Sequence, residues 1–250
     1  MQRLSRSLLR AIPRTTRPST PHTTTPFTPL TTTTATPNIA AMATTTPALS
    51  ADTFLSLIKN RRTFYPLNKD LAIPPARIQE LVGEALQHMP SAFNSQSNRA
   101  VVLFGAEHDK FWAMTADILK TVVPEAAWEA KSNKLAMFRA GAGTVLFFED
   151  LTVVKELQEK YALYADRFPI WAGHTSAMLQ FAVWTVLEAE GLGANLQHLN
   201  PLVDAKVVET WGVPATWKLN SQLVFGGKTV DDAGPKTFAP LEEKLKVFGA

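Results

Sequence analysis

No cysteine occurs among the 250 residues. This excludes disulfides, a thiol nucleophile, iron–sulfur ligation and thiolate zinc sites. No apolar run reaches the length needed to cross a bilayer, so membrane insertion is not expected. The five histidines, His22, His88, His108, His174 and His198, lack the paired spacing of metal ligands. No Gly-rich loop ends in Gly-Lys-Ser/Thr and no Gly-x-Ser-x-Gly elbow is present, which removes the P-loop and the hydrolase nucleophile. Gly191-Leu192-Gly193 lacks the third glycine of a dinucleotide fingerprint and follows a helical pattern instead of a strand.

Acidic residues are missing from the first fifty positions, which hold Arg3, Arg6, Arg10, Arg14 and Arg17 and a Thr/Pro-rich run from Thr15 to Pro47. That is the composition of a mitochondrial presequence, with Leu4, Leu8, Leu9 and Ile12 as the apolar face of a short helix ending before Pro13. A disordered low-complexity tail is the alternative reading of the same composition. The first reading places the protein in the mitochondrion. Translation from Met42 would leave it in the cytoplasm. The formal charge of +3 and pI near 9.1 rest largely on this tail. Without its arginines the remainder is about −2, so no nucleic-acid partner is expected.

Residues 51–250 suffice for one domain. The periodicity predicts helices over 51–60, 75–87, 107–122, 124–138, 173–191 and 201–211, and strands over 100–104, 143–148 and 219–225. Val145-Leu146-Phe147-Phe148 is the unbroken apolar run of a central strand. The 173–191 helix is apolar nearly all round and must be covered by the rest of the domain or by a second subunit. Helices outnumber strands without regular alternation, which favours an α+β fold, a sheet flanked by helices, over a doubly wound one.

Three segments carry the chemistry. Arg61-Arg62-Thr63-Phe64-Tyr65 offers two guanidinium groups and a hydroxyl to a phosphate, though arginines at a helix end also complement its dipole. Pro90-Ser91-Ala92-Phe93-Asn94-Ser95-Gln96-Ser97 is a loop of short polar side chains. Gly191-Leu192-Gly193-Ala194-Asn195 closes a helix and exposes backbone donors. Lys228 and Lys236 are further candidate phosphate partners.

In order and spacing these segments resemble the FMN-dependent nitroreductase family, and the form Pro-Ser-Ala-Phe-Asn-Ser-Gln resembles its subgroup of yeast stress-responsive nitroreductase-like proteins and their bacterial relatives. The resemblance covers roughly residues 51–248. It implies a homodimer with two flavins at the interface, and ping-pong transfer from NADH or NADPH through FMN to a nitroaromatic or quinone-like small-molecule acceptor. It places Arg61 and Lys236 at the FMN phosphate, and Arg62, Thr63 and Tyr65 along the ribityl chain and ring. Pro90, Ser91, Asn94 and Gln96 match a loop that closes over the flavin from the neighbouring subunit, and the amides of Leu192 and Gly193 match those at the flavin's reactive edge. The sequence departs from the family pattern at Ala92, Ser97-Asn98 and Phe238. No side chain is expected to act as a catalytic acid, since the chemistry is the cofactor's. Phe168 and Trp171, in the aromatic segment 161–171, are the expected wall of the acceptor site. A flavin-binding regulatory or storage protein with little turnover, or an interaction module without flavin, would carry much the same motifs.

Overall fold

A computed structural model describes residues 50–250; the expectations for the first 49 residues lie outside the described part. The chain runs through α1 (Ala51–Asn60), β1 (Leu67–Asn68), α2 (Pro75–His88), β2 (Asn98–Phe104), α3 (Gly105–Lys120), α4 (Glu125–Arg139), β3 (Gly143–Asp150), α5 (Leu151–Lys160), α6 (Phe168–Ala189), β4 (Gly193–Gln197), α7 (Asp204–Trp211) and β5 (Trp217–Lys228). The strands form one antiparallel sheet in the order β1-β5-β3-β2, with β4 also paired to β5. The α+β expectation therefore holds.

The sheet has a core on each face. Along β3 the side chains alternate between them, as a strand's period of two requires. Val145 and Phe147 meet Ile78 and Val82 of α2 and Leu179, Val183 and Leu187 of α6. Leu146 and Phe148 meet Phe111 and Trp112 of α3, Leu135 and Phe138 of α4 and Val207 of α7. Residues 143–149 are all buried, so β3 is the central strand that its apolar run indicated.

Several elements differ from expectation. The long helix starts at Phe168, five residues before Gly173, because Pro169 sits in its first turn, where a missing N–H costs nothing. The last strand spans Trp217–Lys228 and not merely 219–225, and α7 starts at Asp204 instead of Pro201. Helix α5 was not expected; the Asp150 carboxylate caps it by accepting from the Thr152 N–H at 3.1 Å. The predicted close of α6 at Gly191 is borne out. Gly191 takes φ +89°, its N–H donates to the Glu188 carbonyl, and the Leu192 N–H donates to the Leu187 carbonyl, the bonding of a Schellman turn.

Within this frame α6 is covered on one side only. Ala172, Thr175, Ser176, Leu179, Val183 and Leu187 are buried, whereas Ile170, Ala177 and Met178 are exposed. Among the described residues no helix is long and apolar enough to cross a membrane.

Candidate functional site

Helix α1 ends where Arg61 turns to extended backbone, its N–H donating to the Leu57 carbonyl at 3.0 Å. The chain then runs beside β4. Thr63 bridges Ala194 in parallel, the Phe64 N–H donates to the Ala194 carbonyl at 3.0 Å, and Asn195 Nδ2 donates to the Phe64 carbonyl at 2.8 Å. Phe64 is buried in the core. Alternation along extended backbone therefore turns Arg61, Thr63 and Tyr65 the other way.

Arg61 and Thr63 face a cavity of about 410 Å³ whose other walls are Ile58, Ala177, Gln180, Phe181 and Trp184, Leu196 and Lys236. A neighbouring depression is lined by Arg61, Arg62, Thr63, Tyr65, Ala233 and Lys236. Lys236 reaches the groove because the Arg62 guanidinium donates to the Gly234 carbonyl two residues earlier. Arg62 thus ties the C-terminal segment to the phosphate-type motif. The Lys236 ammonium lies 5.3 Å from the Phe238 ring, so the aromatic at this departure from the family pattern accompanies a cation.

Opposite Lys236, the Arg61 guanidinium lies 4.3 Å from the centre of the Trp184 ring. The N–H of that ring donates to Glu188, whose carboxyl is held above its ordinary range by burial; the Arg62 N–H, the Trp184 indole N–H, Lys228 and Arg61 pull it back down. Two cations and a hydroxyl above an aromatic and amide-bearing wall suit a dianionic phosphate on a polyol chain.

The second set of expected residues lies elsewhere in the chain. The Pro90–Gln96 loop packs through Phe93 on Tyr161, Phe168 and Trp171, with ring centroids 4.9, 5.4 and 5.8 Å away. Phe168 is the first residue of α6, and Trp184, at the Arg61 groove, is sixteen positions further on. At ~1.5 Å per residue the two sites are about 24 Å apart along the helix, so a single chain does not join them. Within the loop, Ser91 Oγ accepts from the Gln96 N–H at 3.0 Å, while Pro90, Asn94 and Gln96 are exposed. Phe93, Asn94 and Gln96 have φ of 56°, 50° and 50°. A cluster of left-handed non-glycine residues is the kind of backbone strain found at ligand-binding segments.

Two expectations need correction. Phe168 is 2% exposed; it packs with Val154 and Ala172 and cannot present a face to an acceptor, whereas Trp171 is only half-buried. The Leu192 amide is not available to the flavin's edge, because its N–H is already donated to the Leu187 carbonyl within the helix cap. Gly193 beside it is close-packed: a Cβ there would lie 2.7 Å from Leu67 Cδ2, 2.9 Å from Lys228 Cγ and 3.1 Å from Phe64 Cβ. What reaches the groove from this region is Leu196, further along the unexpected strand β4. The alternation Ala194-Asn195-Leu196-Gln197 is the signal that would have found it. Gln180 and Trp184 were hidden because their helix reads simply as apolar.

The nitroreductase family profile matches residues 58–227. The nitroreductase FRM2 of Saccharomyces cerevisiae is 38% identical over 178 residues, covering 70% of this chain and 88% of that protein. The solved structure of nitroreductase CinD from Lactococcus lactis in complex with nicotinic acid is 45% identical, with a TM-score of 0.73, and covers 78% of this chain and all of CinD. Another structure of CinD, in complex with 4-nitrophenol, gives a TM-score of 0.72. With its helix-flanked antiparallel sheet, the phosphate-type motif at the end of α1 and these relatives, the chain belongs to the nitroreductase family of oxidoreductases.

Proposed function

We propose that this protein is an FMN-dependent oxidoreductase that uses NADH or NADPH to reduce nitroaromatic or quinone-like acceptors by a ping-pong mechanism. The observation that carries the reading is the convergence of Arg61, Thr63 and Lys236 on one groove against α6. Arg61 and Lys236 hold the phosphate as charge-assisted donors, and Thr63 and Gln180 bond the polyol chain. Arg62 holds Lys236 in reach through Gly234. When bound, FMN supplies the electron-transfer chemistry between nicotinamide and acceptor, and the protein's part is to position and shield it.

A homodimer makes the site complete. The uncovered stripe of α6 with Ile170, Ala177 and Met178 is the surface for a second copy, whose Pro90–Gln96 loop and Trp171 then close over the flavin. The complexes of CinD with nicotinic acid and with 4-nitrophenol support small aromatic ligands for a protein of this kind. Residues 1–50 direct the longer product to the mitochondrion, whereas initiation at Met42 yields a cytoplasmic form; in either compartment the activity serves an oxidative or xenobiotic stress response.

The test is the visible spectrum of purified protein spanning Met42 to Ala250, before and after anaerobic NADH and NADPH, followed by addition of 4-nitrophenol or a quinone. An oxidised-flavin spectrum that bleaches with the nicotinamide and returns with the acceptor is expected. A protein that takes up no FMN on reconstitution overturns the reading. One that binds FMN without bleaching is a storage or regulatory flavoprotein.

A further inference from the structure

Glu188 is the only Asp, Glu, Lys or Arg within the 22 residues of α6, and it is half-buried. A lone buried carboxylate costs desolvation unless its oxygens are bonded. Both are used. Oε1 accepts from Trp184 Nε1 at 2.7 Å, one helical turn away, and Oε2 accepts from the Arg62 backbone N–H at 2.9 Å. The two donors flank Arg61: one belongs to the next residue in the chain and the other to the ring beneath the Arg61 guanidinium, 4.3 Å from its centre.

We propose that Glu188 is the positioning residue for the cofactor phosphate: by holding the Trp184 indole and the Arg62 amide together it fixes the Arg61 guanidinium before the ligand arrives, and so sets the preference for a phosphorylated flavin over riboflavin. This rests on the reading of Arg61 as the phosphate ligand. An arginine side chain held over an indole has already lost much of the rotamer freedom that binding would otherwise remove. Glu188 does not line the Arg61–Lys236 groove; it acts through its two donors and through its charge beside Arg61, with which, and with Lys228, it lines a neighbouring depression.

The variants separate positioning from general stability. Glu188→Gln keeps the size but offers a single acceptor oxygen, so one of the two donors loses its partner. Trp184→Phe keeps a ring face under Arg61 and removes the indole N–H. The experiment titrates FMN and riboflavin into apoprotein and follows quenching of flavin fluorescence, with thermal denaturation as the control for folding. Wild type is expected to prefer FMN, and Arg61→Ala to abolish most of that preference. Glu188→Gln is expected to lower FMN affinity roughly tenfold with riboflavin affinity unchanged, and Trp184→Phe to do the same to a smaller degree. Adding Glu188→Gln to Arg61→Ala should cost nothing more, because the carboxylate acts through the guanidinium. Equal loss of both flavins, or an unchanged preference in Glu188→Gln and Trp184→Phe while Arg61→Ala loses it, overturns the positioning role alone. Failure of wild type to prefer FMN, or of Arg61→Ala to change the preference, overturns the phosphate reading on which it stands.

Discussion

Phe93 stacks on Trp171 with ring centroids 5.8 Å apart and planes 22° from parallel, which couples the strained Pro90–Gln96 loop to the first turn of α6. Phe93 stays 51% exposed despite this contact, so the pair presents an aromatic surface, while Phe168 beneath it supports the pair from the core. Substituting the two α6 aromatics should therefore have different effects. Trp171→Ala is expected to shift the ratio of kcat/KM between a nitroaromatic and a quinone several-fold at little cost in stability. Phe168→Ala is expected to cost about 3–5 kcal/mol and leave that ratio alone. Steady-state kinetics beside urea denaturation decides, and an unchanged ratio in Trp171→Ala removes this wall from the acceptor site.

His108 makes the fold sensitive to acid. Its Nε2 lies 3.1 Å from the Arg139 carbonyl, which can only accept, so Nε2 carries the proton and Nδ1 accepts from the Thr144 hydroxyl at 2.8 Å. Thr144 Oγ1 in turn accepts from Trp112 Nε1 at 3.0 Å. Burial, helped by the Lys69 charge, lowers the imidazole pKa from 6.5 to about 4. Between these values the unfolded chain binds the extra proton, so this group's contribution to stability falls as the pH drops through the window and levels off below it. His108→Gln should be less stable than wild type at pH 7, by an amount that shrinks towards pH 4. Urea midpoints measured across that range test this, and a constant difference would count against it.

Glu149 acts in the opposite sense. It is 6% exposed, and its Oε1 has no hydrogen-bond partner. Burial raises its pKa from 4.5 to about 7, against the pull of Lys218 and Ser97. The folded state therefore favours the protonated form. The associated stability is fully present below pH 4.5 and is lost as the pH rises through 7. Glu149→Gln, which mimics the neutral acid, should be more stable than wild type at pH 8 by on the order of 2 kcal/mol and nearly equal to it at pH 4.5. Thermal denaturation at the two pH values measures the difference.

The exposed stripe of α6 predicts its own disruption. Met178 is 38% exposed, and in the proposed homodimer a charge placed there would be buried unpaired against the second copy. Met178→Glu should sediment as a monomer with an unchanged fold and lose FMN binding, because loop and groove then no longer meet. A dimeric Met178→Glu protein that keeps its flavin would place the interface elsewhere.

Legibility followed physical range. The amphipathic helices and the apolar run of β3 were visible because a strand or helix buried by its neighbours must carry the matching period. The helix stop at Gly191 was visible because a left-handed residue there favours glycine. Five-residue β4 and two-residue β1 were missed, since their pairing to β5 depends on partners remote in sequence. The start of α6 was missed because Pro169 reads as a breaker until it is placed in a first turn.

By itself the sequence determined the α+β class and, with no cysteine, the absence of thiol chemistry, and it pointed to Arg61-Arg62-Thr63 as the phosphate-type segment, because these depend on local period and residue chemistry. Only the tertiary structure decided that Lys236 joins Arg61 and that Phe168 is buried while Trp171 is not. It alone placed Glu188 between the Trp184 indole N–H and the Arg62 amide and the Pro90–Gln96 loop at the far end of α6. The physical reason is that such relationships are set by the packing of α6 against the sheet, which brings residues more than a hundred positions apart, such as Arg62 and Glu188, within hydrogen-bond reach.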